Sequence, residues 1–433
     1  MTKTLTSYEL NESRFLALLE KLIGETETLQ NQPPQLIPVE DNAGRHVLAA
    51  LEPYRVENGG VLKVEQVHYT PGRGNILITY PGTQDKKSIS FVGSHLDVVP
   101  AIKEKWDRNP FKLIVEGDRL YGRGTTDCLG HVALLTDFFI ELATEKPQLK
   151  NSIHAVFIVS EENDSIPNIG VEQLDKTGKM DHCKFGPVYW VDSADMQPTI
   201  GTGGALGWKL TAFGKNMHSA MPDRTVNAIE LVNEALAEIQ RRFYIDFPAH
   251  PREKEYHYEL SSTMKPTIME KIESSLNTIP GEAILRGDVR LTPFYEMSHL
   301  QKKLKEYVDD INKNITELRS RGPFSKFAIP GVQGRVEIEF EGSGSPGIAC
   351  NIDSPGYLAL GQATKEVLGE LKPVSTCGTL PLVRDLQDSG FDLQITGFGK
   401  EDCYHTDNEF ALLSDFKKAV HIITKTIDIL ENK

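Results

Sequence analysis

The chain contains 433 residues, which is enough for about two or three domains with a substantial core. Hydrophobic residues make up 39% and charged residues 25% of it, a composition typical of a folded globular protein and not of a disordered one. The formal net charge of −14 argues against a general nucleic-acid or anionic-membrane binder, because such proteins present a basic surface.

The lack of a recognisable targeting signal and the scattered cysteines predict a cytoplasmic protein. Residues 1–20 lack a basic segment followed by a long apolar one, so we expect no secretory signal. No run approaches the about 18 unbroken apolar residues that a transmembrane helix needs. The five cysteines are scattered without a CxxC pair, which predicts reduced thiols and neither a disulfide framework nor a cysteine-zinc site.

The first elements predict an α/β sheet covered by helices. Apolar spacing predicts a helix over residues 8–23, and extended runs follow it. A second helix is expected over 130–144. Strands are expected at residues 61–69, 75–80, 88–92, 153–159 and 188–191. The last three are short apolar runs that end in polar residues. In such sheets the functional site forms beyond the carboxyl ends of the strands.

The middle of the chain predicts a separate α+β domain of the split βαβ type. Its strands and helices are expected in the order β-α-β-β-α-β at 206–213, 225–243, 263–272, 282–291, 298–318 and 335–340. The glycine-rich residues 341–347 predict a return linker. A helix at 354–368, a strand at 393–396 and a helix at 415–430 follow. We therefore expect a catalytic domain from 1–203 and 345–433 with an inserted domain at 204–344.

Several polar clusters follow the predicted strands. His95 can offer an imidazole nitrogen to a metal, and Asp97 could accept the other ring N–H. The glycines before Asp127 allow a tight turn, and a carboxylate there could bridge two ions. Glu161 and Glu162 would repel each other at a buried strand end, so one could bind a metal while the other acts as a base.

Each cluster also has a structural interpretation: a loop histidine, an ordinary glycine turn, a solvated charge pair. Asp192 and His405 complete two histidines and three carboxylates in the proposed ligand set, a nitrogen and oxygen mixture suited to two-metal hydrolysis. The chain contains neither a GxSxG nucleophile elbow nor a GxxxxGK[ST] phosphate loop.

Taken together, the motifs resemble those of the two-zinc aminoacylase, carboxypeptidase and acetylornithine deacetylase superfamily. That resemblance covers nearly the whole chain. Four signatures of that superfamily occur in order: SxHxDVVP, GRGxxD, EE and a closing histidine, at residues 94–100, 122–127, 161–162 and 397–410. The first of them lacks the spacer between Ser and His. The resemblance implies a zinc-peptidase-like catalytic domain with a mixed sheet and an inserted ferredoxin-like dimerisation domain.

Site roles follow from the resemblance. It implies that Asp127 bridges two divalent ions. Zinc is the expected metal, and cobalt and manganese are also compatible with these ligands. One ion would be held by His95 and Asp192, with Asp195 as a competitor for the latter position. The other would be held by Glu162 and His405, while Glu161 acts as general base and Asp97 supports His95.

The inserted domain carries a further signature, which resembles HSxxP…NAI at residues 218–229. The resemblance implies that His218 stabilises the oxyanion from the partner subunit of a homodimer, and that Asn277 and Arg290 bind substrate. Structural alternatives remain: His218 could cap or pack at a helix entry, and Arg290 could form a strand-surface ion pair.

Residues 186–208 and 379–391 are most similar to the acetylornithine deacetylases of plants and related eukaryotes. This implies hydrolysis of N2-acetylornithine to ornithine and acetate, in arginine synthesis. Alternatives are another N-acyl amino acid hydrolase, a succinyl-diaminopimelate desuccinylase or a metallo-dipeptidase. A non-catalytic binding protein on the same fold would require loss of the base or of ligands, and all are present.

Overall fold

The structure is a computed structural model that describes residues 5–163, 165–271, 275–380 and 382–432. Within these residues the α-helices, in chain order, are α1 Glu12–Gly24, α2 Asp41–Leu51, α3 Leu129–Glu145, α4 Val171–Lys176, α5 Ala228–Asp246, α6 Pro251–Glu255, α7 Met297–Lys313, α8 Pro355–Leu368, α9 Val383–Asp388 and α10 Leu413–Glu431. None of the described helices has the length and apolarity needed to cross a membrane.

The strands, again in chain order, are β1 Lys63–Thr70, β2 Arg73–Tyr80, β3 Ser88–His95, β4 Ile114–Glu116, β5 Arg119–Tyr121, β6 Ser152–Ile158, β7 Pro187–Val191, β8 Thr199–Gly201, β9 Gly204–Phe213, β10 Met217–His218, β11 Thr263–Met269, β12 Thr278–Ile279, β13 Glu282–Leu291, β14 Ala328–Ile329, β15 Val332–Gln333, β16 Arg335–Ser345, β17 Val374–Ser375, β18 Asp392–Thr396 and β19 Phe410–Leu412.

The chain divides into two compact units, of which the first comprises the described residues of 1–200, 350–374 and 381–433. Its main sheet has the strand order β1-β2-β6-β3-β7-β18-β8-β17. The four central strands β6, β3, β7 and β18 run parallel to their neighbours within that group, whereas β2 is antiparallel to β6. All eight residues of β3 are buried, as expected for a strand at the centre of a parallel sheet.

Helices α2, α3 and α8 contact this sheet. Helix α3 is buried along nearly its whole length, from Leu129 to Ala143, because apolar side chains occur on almost every side of it. It therefore belongs to the core of the first unit, and its N-terminus lies directly after the turn that carries Asp127.

The second unit comprises the described residues of 201–349 and 375–380. Its four-stranded sheet has the order β11-β13-β9-β16 with antiparallel pairing throughout. Helices α5 and α7 contact that sheet and bury an apolar side that includes Leu231, Phe243, Leu304 and Val308. The strand order and the β-α-β-β-α-β succession are those of a ferredoxin-like α+β fold.

The predicted fold class, a mixed-sheet α/β protein with an inserted ferredoxin-like α+β unit, is confirmed. The expected linker at 341–347 is wrong over residues 341–345, because β16 continues to Ser345 and pairs with β9 there. The expected strand 263–272 ends at Met269, and its last residue lies outside the described residues. Helix α2 was missed. The role of the second unit in dimerisation stays a prediction.

Candidate metal centre

Three of the four central strands deliver polar side chains directly at their carboxyl ends. Because parallel strands end at one edge of the sheet, these side chains meet there. His95 is the last residue of β3, Glu161 and Glu162 follow β6, and Asp192 follows β7 directly. The fourth strand, β18, leads into residues 397–405, which carry His405. The sequence pattern of apolar runs ending in polar residues thus predicted the edge of the sheet where these side chains lie.

Asp127 reaches the same place from a turn between β5 and α3. This turn has no regular secondary structure over residues 122–127. Gly124 has φ +92°, and a Cβ there would come within 2.9 Å of the Leu129 side chain. Glycine is therefore required at this point of the turn for both conformation and space.

His95 is completely buried, and its ring is oriented by a backbone carbonyl. Its Nδ1 lies 2.9 Å from the carbonyl oxygen of Asp97. A carbonyl can only accept, so Nδ1 carries a proton, and Nε2 is the nitrogen that faces the site, where it can donate to Asp127 or, when deprotonated, bind a metal. That nitrogen lies 2.9 Å from Asp127 Oδ1, 3.8 Å from Glu161 Oε2 and 3.9 Å from Asp192 Oδ1.

The carboxylate of Asp127 spans two imidazole rings. Oδ1 faces His95, and Oδ2 lies 3.1 Å from Nε2 of His405. The same His405 nitrogen lies 3.1 Å from Glu162 Oε2. One carboxylate with each oxygen turned toward a different histidine is the arrangement that can bridge two cations. The structure therefore brings together all five residues expected as ligands.

Asp97 accepts the ring N–H of His95, as the sequence suggested, but it does so mainly through its backbone carbonyl and not through its carboxylate. Its Oδ1 is 3.5 Å from His95 Nδ1, and the ring N–H is donated to the Asp97 carbonyl instead. The carboxylate accepts the backbone N–H of Glu161 at 3.2 Å and of Glu162 at 3.0 Å. Asn31, which the sequence analysis missed, donates its side-chain N–H to Asp97 Oδ2 at 2.8 Å.

Asp192 and Asp195 occupy different environments. Asp192 is buried, and its Oδ1 has no hydrogen-bond partner within the described part of the chain. Asp195 is paired with the Lys400 ammonium group and has φ +58°. A buried carboxylate oxygen without a partner is costly, so the geometry favours Asp192 over Asp195 as a ligand.

The pKa values of these groups are shifted by burial and by the charged groups around them. Burial raises the pKa of Glu161 well above its ordinary value, that of Glu162 to about 8 and that of Asp192 to about 7. Burial also opposes ionisation of Asp127, but hydrogen bonds from His405 and His95 hold its pKa below the usual range. Hydrogen bonds to Asp127 and Glu162 raise the pKa of His405 to about 10.

The residues present fit a pair of divalent ions. Within the described residues, two overlapping sets of potential ligand atoms each lie within 4.8 Å of one another, namely His95 with Cys128 and Asp192, and His95 with Asp127 and Glu162. His405 belongs to neither set, but its Nε2 lies 3.1 Å from both Asp127 and Glu162. Nitrogen and carboxylate donors suit zinc, cobalt or manganese. Cations would also neutralise four buried carboxylates, which is the usual condition for burying such charges.

His218, Asn277 and Arg290 lie in the second unit. There His218 pairs with Thr278 between β10 and β12, and Ser219 N donates to the carbonyl of Asn277 at 2.8 Å. The Nε of Arg290 contacts Asp288 Oδ2 at 2.7 Å. His218 and Asn277 are therefore neighbours, and their substrate roles stay predictions.

Comparisons with known proteins identify the family of the chain. The pattern of peptidase family M20/M25/M40 matches residues 91–429. The chain is 69% identical over 445 residues to the acetylornithine deacetylase of Dictyostelium discoideum, covering 100% of both chains. It is 50% identical over 425 residues to the acetylornithine deacetylase of Arabidopsis thaliana, covering 98% of this chain and 96% of the relative.

Among solved structures, the chain is similar in fold to a dinuclear metal binding peptidase of the M20 family from Bacillus subtilis. The TM-score is 0.61 at 13% sequence identity, and the comparison covers 98% of this chain and 99% of the other.

Proposed function

Because the chain belongs to peptidase family M20/M25/M40, we propose that it removes the acetyl group from N2-acetylornithine, giving ornithine and acetate. It is a metal-dependent amidohydrolase. The choice of substrate rests on one observation: over essentially its full length, the chain is 69% and 50% identical to two acetylornithine deacetylases.

Two divalent ions, of which zinc is the first choice, would be held by five side chains. Asp127 would lie between the ions, with His95 and Asp192 on one side and Glu162 and His405 on the other. When bound, the ions supply Lewis-acid chemistry, acidifying a water molecule and polarising the amide carbonyl. The support for this assignment is the Asp127 carboxylate, whose two oxygens face the two imidazoles.

Glu161 would act as the general base. Its carboxylate oxygen would take a proton from the attacking water and pass it to the nitrogen of the departing amine. Two features support this role. Glu161 lies at the same strand end as the ligands, and burial raises its pKa well above the ordinary value, so that it can hold a proton between the two transfers.

Substrate binding would use the second unit of each subunit. Within a homodimer, His218 of the partner subunit would donate a hydrogen bond to the tetrahedral oxyanion. Asn277 would bind the amide. Arg290 would clamp the α-carboxylate through its terminal N–H groups, since its Nε contacts Asp288.

The proposed reaction places the protein in arginine biosynthesis. We propose a cytoplasmic location, which the scattered cysteines without a CxxC pair support.

An amine-release assay tests the substrate. Metal-free protein reloaded with zinc or cobalt is compared on N2-acetylornithine, N-acetylmethionine, succinyl-diaminopimelate and simple dipeptides, with the unloaded protein as control. We expect the highest kcat/KM on N2-acetylornithine. Faster hydrolysis of a dipeptide or of the succinylated substrate would reject the proposed substrate while keeping the reaction class.

A further inference from the structure

Glu409 is a fully buried carboxylate four residues after His405, and it is not one of the proposed ligands. Its two oxygens accept four hydrogen bonds. Oε2 accepts from Arg123 Nη1 at 2.8 Å and from the backbone N–H of Gly124 at 3.0 Å. Oε1 accepts from the backbone N–H groups of Thr126 at 2.8 Å and Asp127 at 3.0 Å.

Three of these four donors are backbone groups of the turn that ends in Asp127. The turn belongs to no helix or strand over residues 122–127, so its buried N–H groups have no regular partners. Buried backbone N–H groups must nevertheless be satisfied, and losing a partner costs the desolvation of the donor. The carboxylate of Glu409 therefore determines the conformation of this turn.

The same turn is joined to the His405 segment by a second set of contacts. Thr126 Oγ1 donates to the carbonyl of Phe410 at 2.7 Å and accepts the backbone N–H of Lys400 at 3.2 Å. Glu409 and Thr126 thus connect the loop of Asp127 to residues 400–410. At the end of this connection, Asp127 Oδ2 and His405 Nε2 lie 3.1 Å apart.

We propose that Glu409 is a positioning residue that holds the Asp127 turn against the His405 segment and so presets the metal site. The inference rests on the proposed two-metal function and adds to it a group that touches neither ion nor substrate. Outer partners of this kind orient ligands and typically change metal affinity by about 10–100-fold when they are replaced.

The test is Glu409→Gln in the full-length protein. The amide nitrogen cannot accept a hydrogen bond, so the turn loses bonds while the side-chain size is kept. Zinc affinity is measured by competition with a chelator, and thermal midpoints are measured on metal-free protein. We expect zinc binding to weaken about 10–100-fold. With metal in excess, kcat should fall while KM stays close to the parent value.

Glu431→Gln is the matched control, because Glu431 also accepts backbone N–H groups, of Lys150 at 2.6 Å and Asn151 at 2.8 Å, at the far end of α10. It should leave zinc affinity unchanged even where the thermal midpoint falls. Equal zinc affinities for Glu409→Gln and the parent would overturn the inference. A parent protein that binds none of zinc, cobalt and manganese would instead overturn the proposed function.

Thr126→Val provides a second test when Glu409→Gln does not fold. It removes the hydroxyl that contacts Phe410 and Lys400 but leaves Glu409 in place. Weaker zinc binding than in the parent would support the proposal that contacts between the Asp127 turn and the His405 segment preset the metal site. Unchanged zinc binding would reject it.

Discussion

The carbonyl and the carboxylate of Asp97 perform different tasks at the metal centre. The carbonyl accepts the Nδ1 proton of His95 and thereby leaves Nε2 available for a metal. The carboxylate holds the backbone N–H groups of Glu161 and Glu162. One residue therefore orients groups on two neighbouring strands, which explains why a buried carboxylate occupies this position.

Glu161→Gln tests the proposed general base. The amide cannot take up the proton of the attacking water, so kcat should fall by about 10²–10⁴-fold. Because Glu161 is not a proposed ligand, bound zinc measured by elemental analysis should stay at the parent level. The comparison variant is Glu162→Gln, which should lose zinc as well as activity. Unchanged turnover in Glu161→Gln would reject the assignment.

His154 predicts a pH dependence of stability in the first unit. Burial, with a contribution from nearby His182, lowers the pKa of His154 from 6.5 to about 3. Between these pH values the unfolded chain binds a proton that the folded chain does not. The contribution of His154 to stability is therefore complete above pH 6.5 and is lost as the pH falls toward 3, by about 1.4 kcal/mol per pH unit.

Urea unfolding at several pH values between 4 and 7 checks this expectation. His154→Asn keeps a polar atom for Thr79, whose hydroxyl lies 3.0 Å from Nδ1, but it cannot titrate. The variant should lose less stability than the parent on acidification. The exposed His299→Asn serves as control and should follow the parent curve. Identical slopes for His154→Asn and the parent would contradict the prediction.

At the scale of elements, the Asn of the NAI signature has a structural task at the start of α5. The Oδ1 of Asn227 accepts the backbone N–H of Ile229 at 3.0 Å, and the residue has extended φ and ψ of −78° and 111°. This is an N-cap, which satisfies one of the unpaired N–H groups at a helix start. Part of a motif associated with function is therefore explained by folding.

Asn227→Ala should lower the free energy of unfolding by about 1 kcal/mol, because the cap hydrogen bond is lost. Asn227→Asp keeps an acceptor at the same position and should stay close to the parent. Urea denaturation of both variants measures the difference. An equally large loss in the Asp variant would show that the amide nitrogen, and not the cap, is what stabilises this position.

At the scale of the whole molecule, metal binding should contribute to stability. Cations neutralise the buried carboxylates, and a ligand that binds only the folded state at 100 times its Kd adds about 2.7 kcal/mol. Chelation should therefore lower the thermal midpoint, and zinc should restore it. Glu162→Gln, which lacks one proposed ligand, should show a smaller shift. A midpoint that does not respond to chelation would contradict a two-metal site.

The proposed dimer can be tested by complementation. Glu161→Gln and His218→Ala are each expected to be nearly inactive alone. If His218 acts across the subunit boundary, random subunit exchange should restore roughly a quarter of parent activity, since half of the dimers are mixed and each has one intact site. No recovery after exchange, or full activity of a monomer in sedimentation, would remove this role.

The sequence by itself determined the fold class, the order of elements and the candidate ligands. Apolar runs that end in polar residues are local signals, and parallel strands bring their carboxyl ends to one edge whatever the details of packing. His95, Glu162 and Asp192, which lie at the ends of central strands, could therefore be expected to converge, whereas Asp127 and His405 lie in loops and were expected at the site chiefly from the family resemblance. Helix α2 was missed because its buried face consists only of Ala43, Gly44, Val47 and Leu51, which is a short and weakly apolar pattern.

Only the tertiary structure distinguished the environments of Asp192 and Asp195 and revealed the contacts of Asp97, Asn31 and Glu409. Glu409 lies 282 to 286 residues along the chain from the four donors that it holds. No periodicity links positions so far apart, because these hydrogen bonds exist only after the sheet has brought the two loops together. The residue type of a candidate ligand can be read from the local sequence, whereas the orientation of its side chain depends on packing between distant segments.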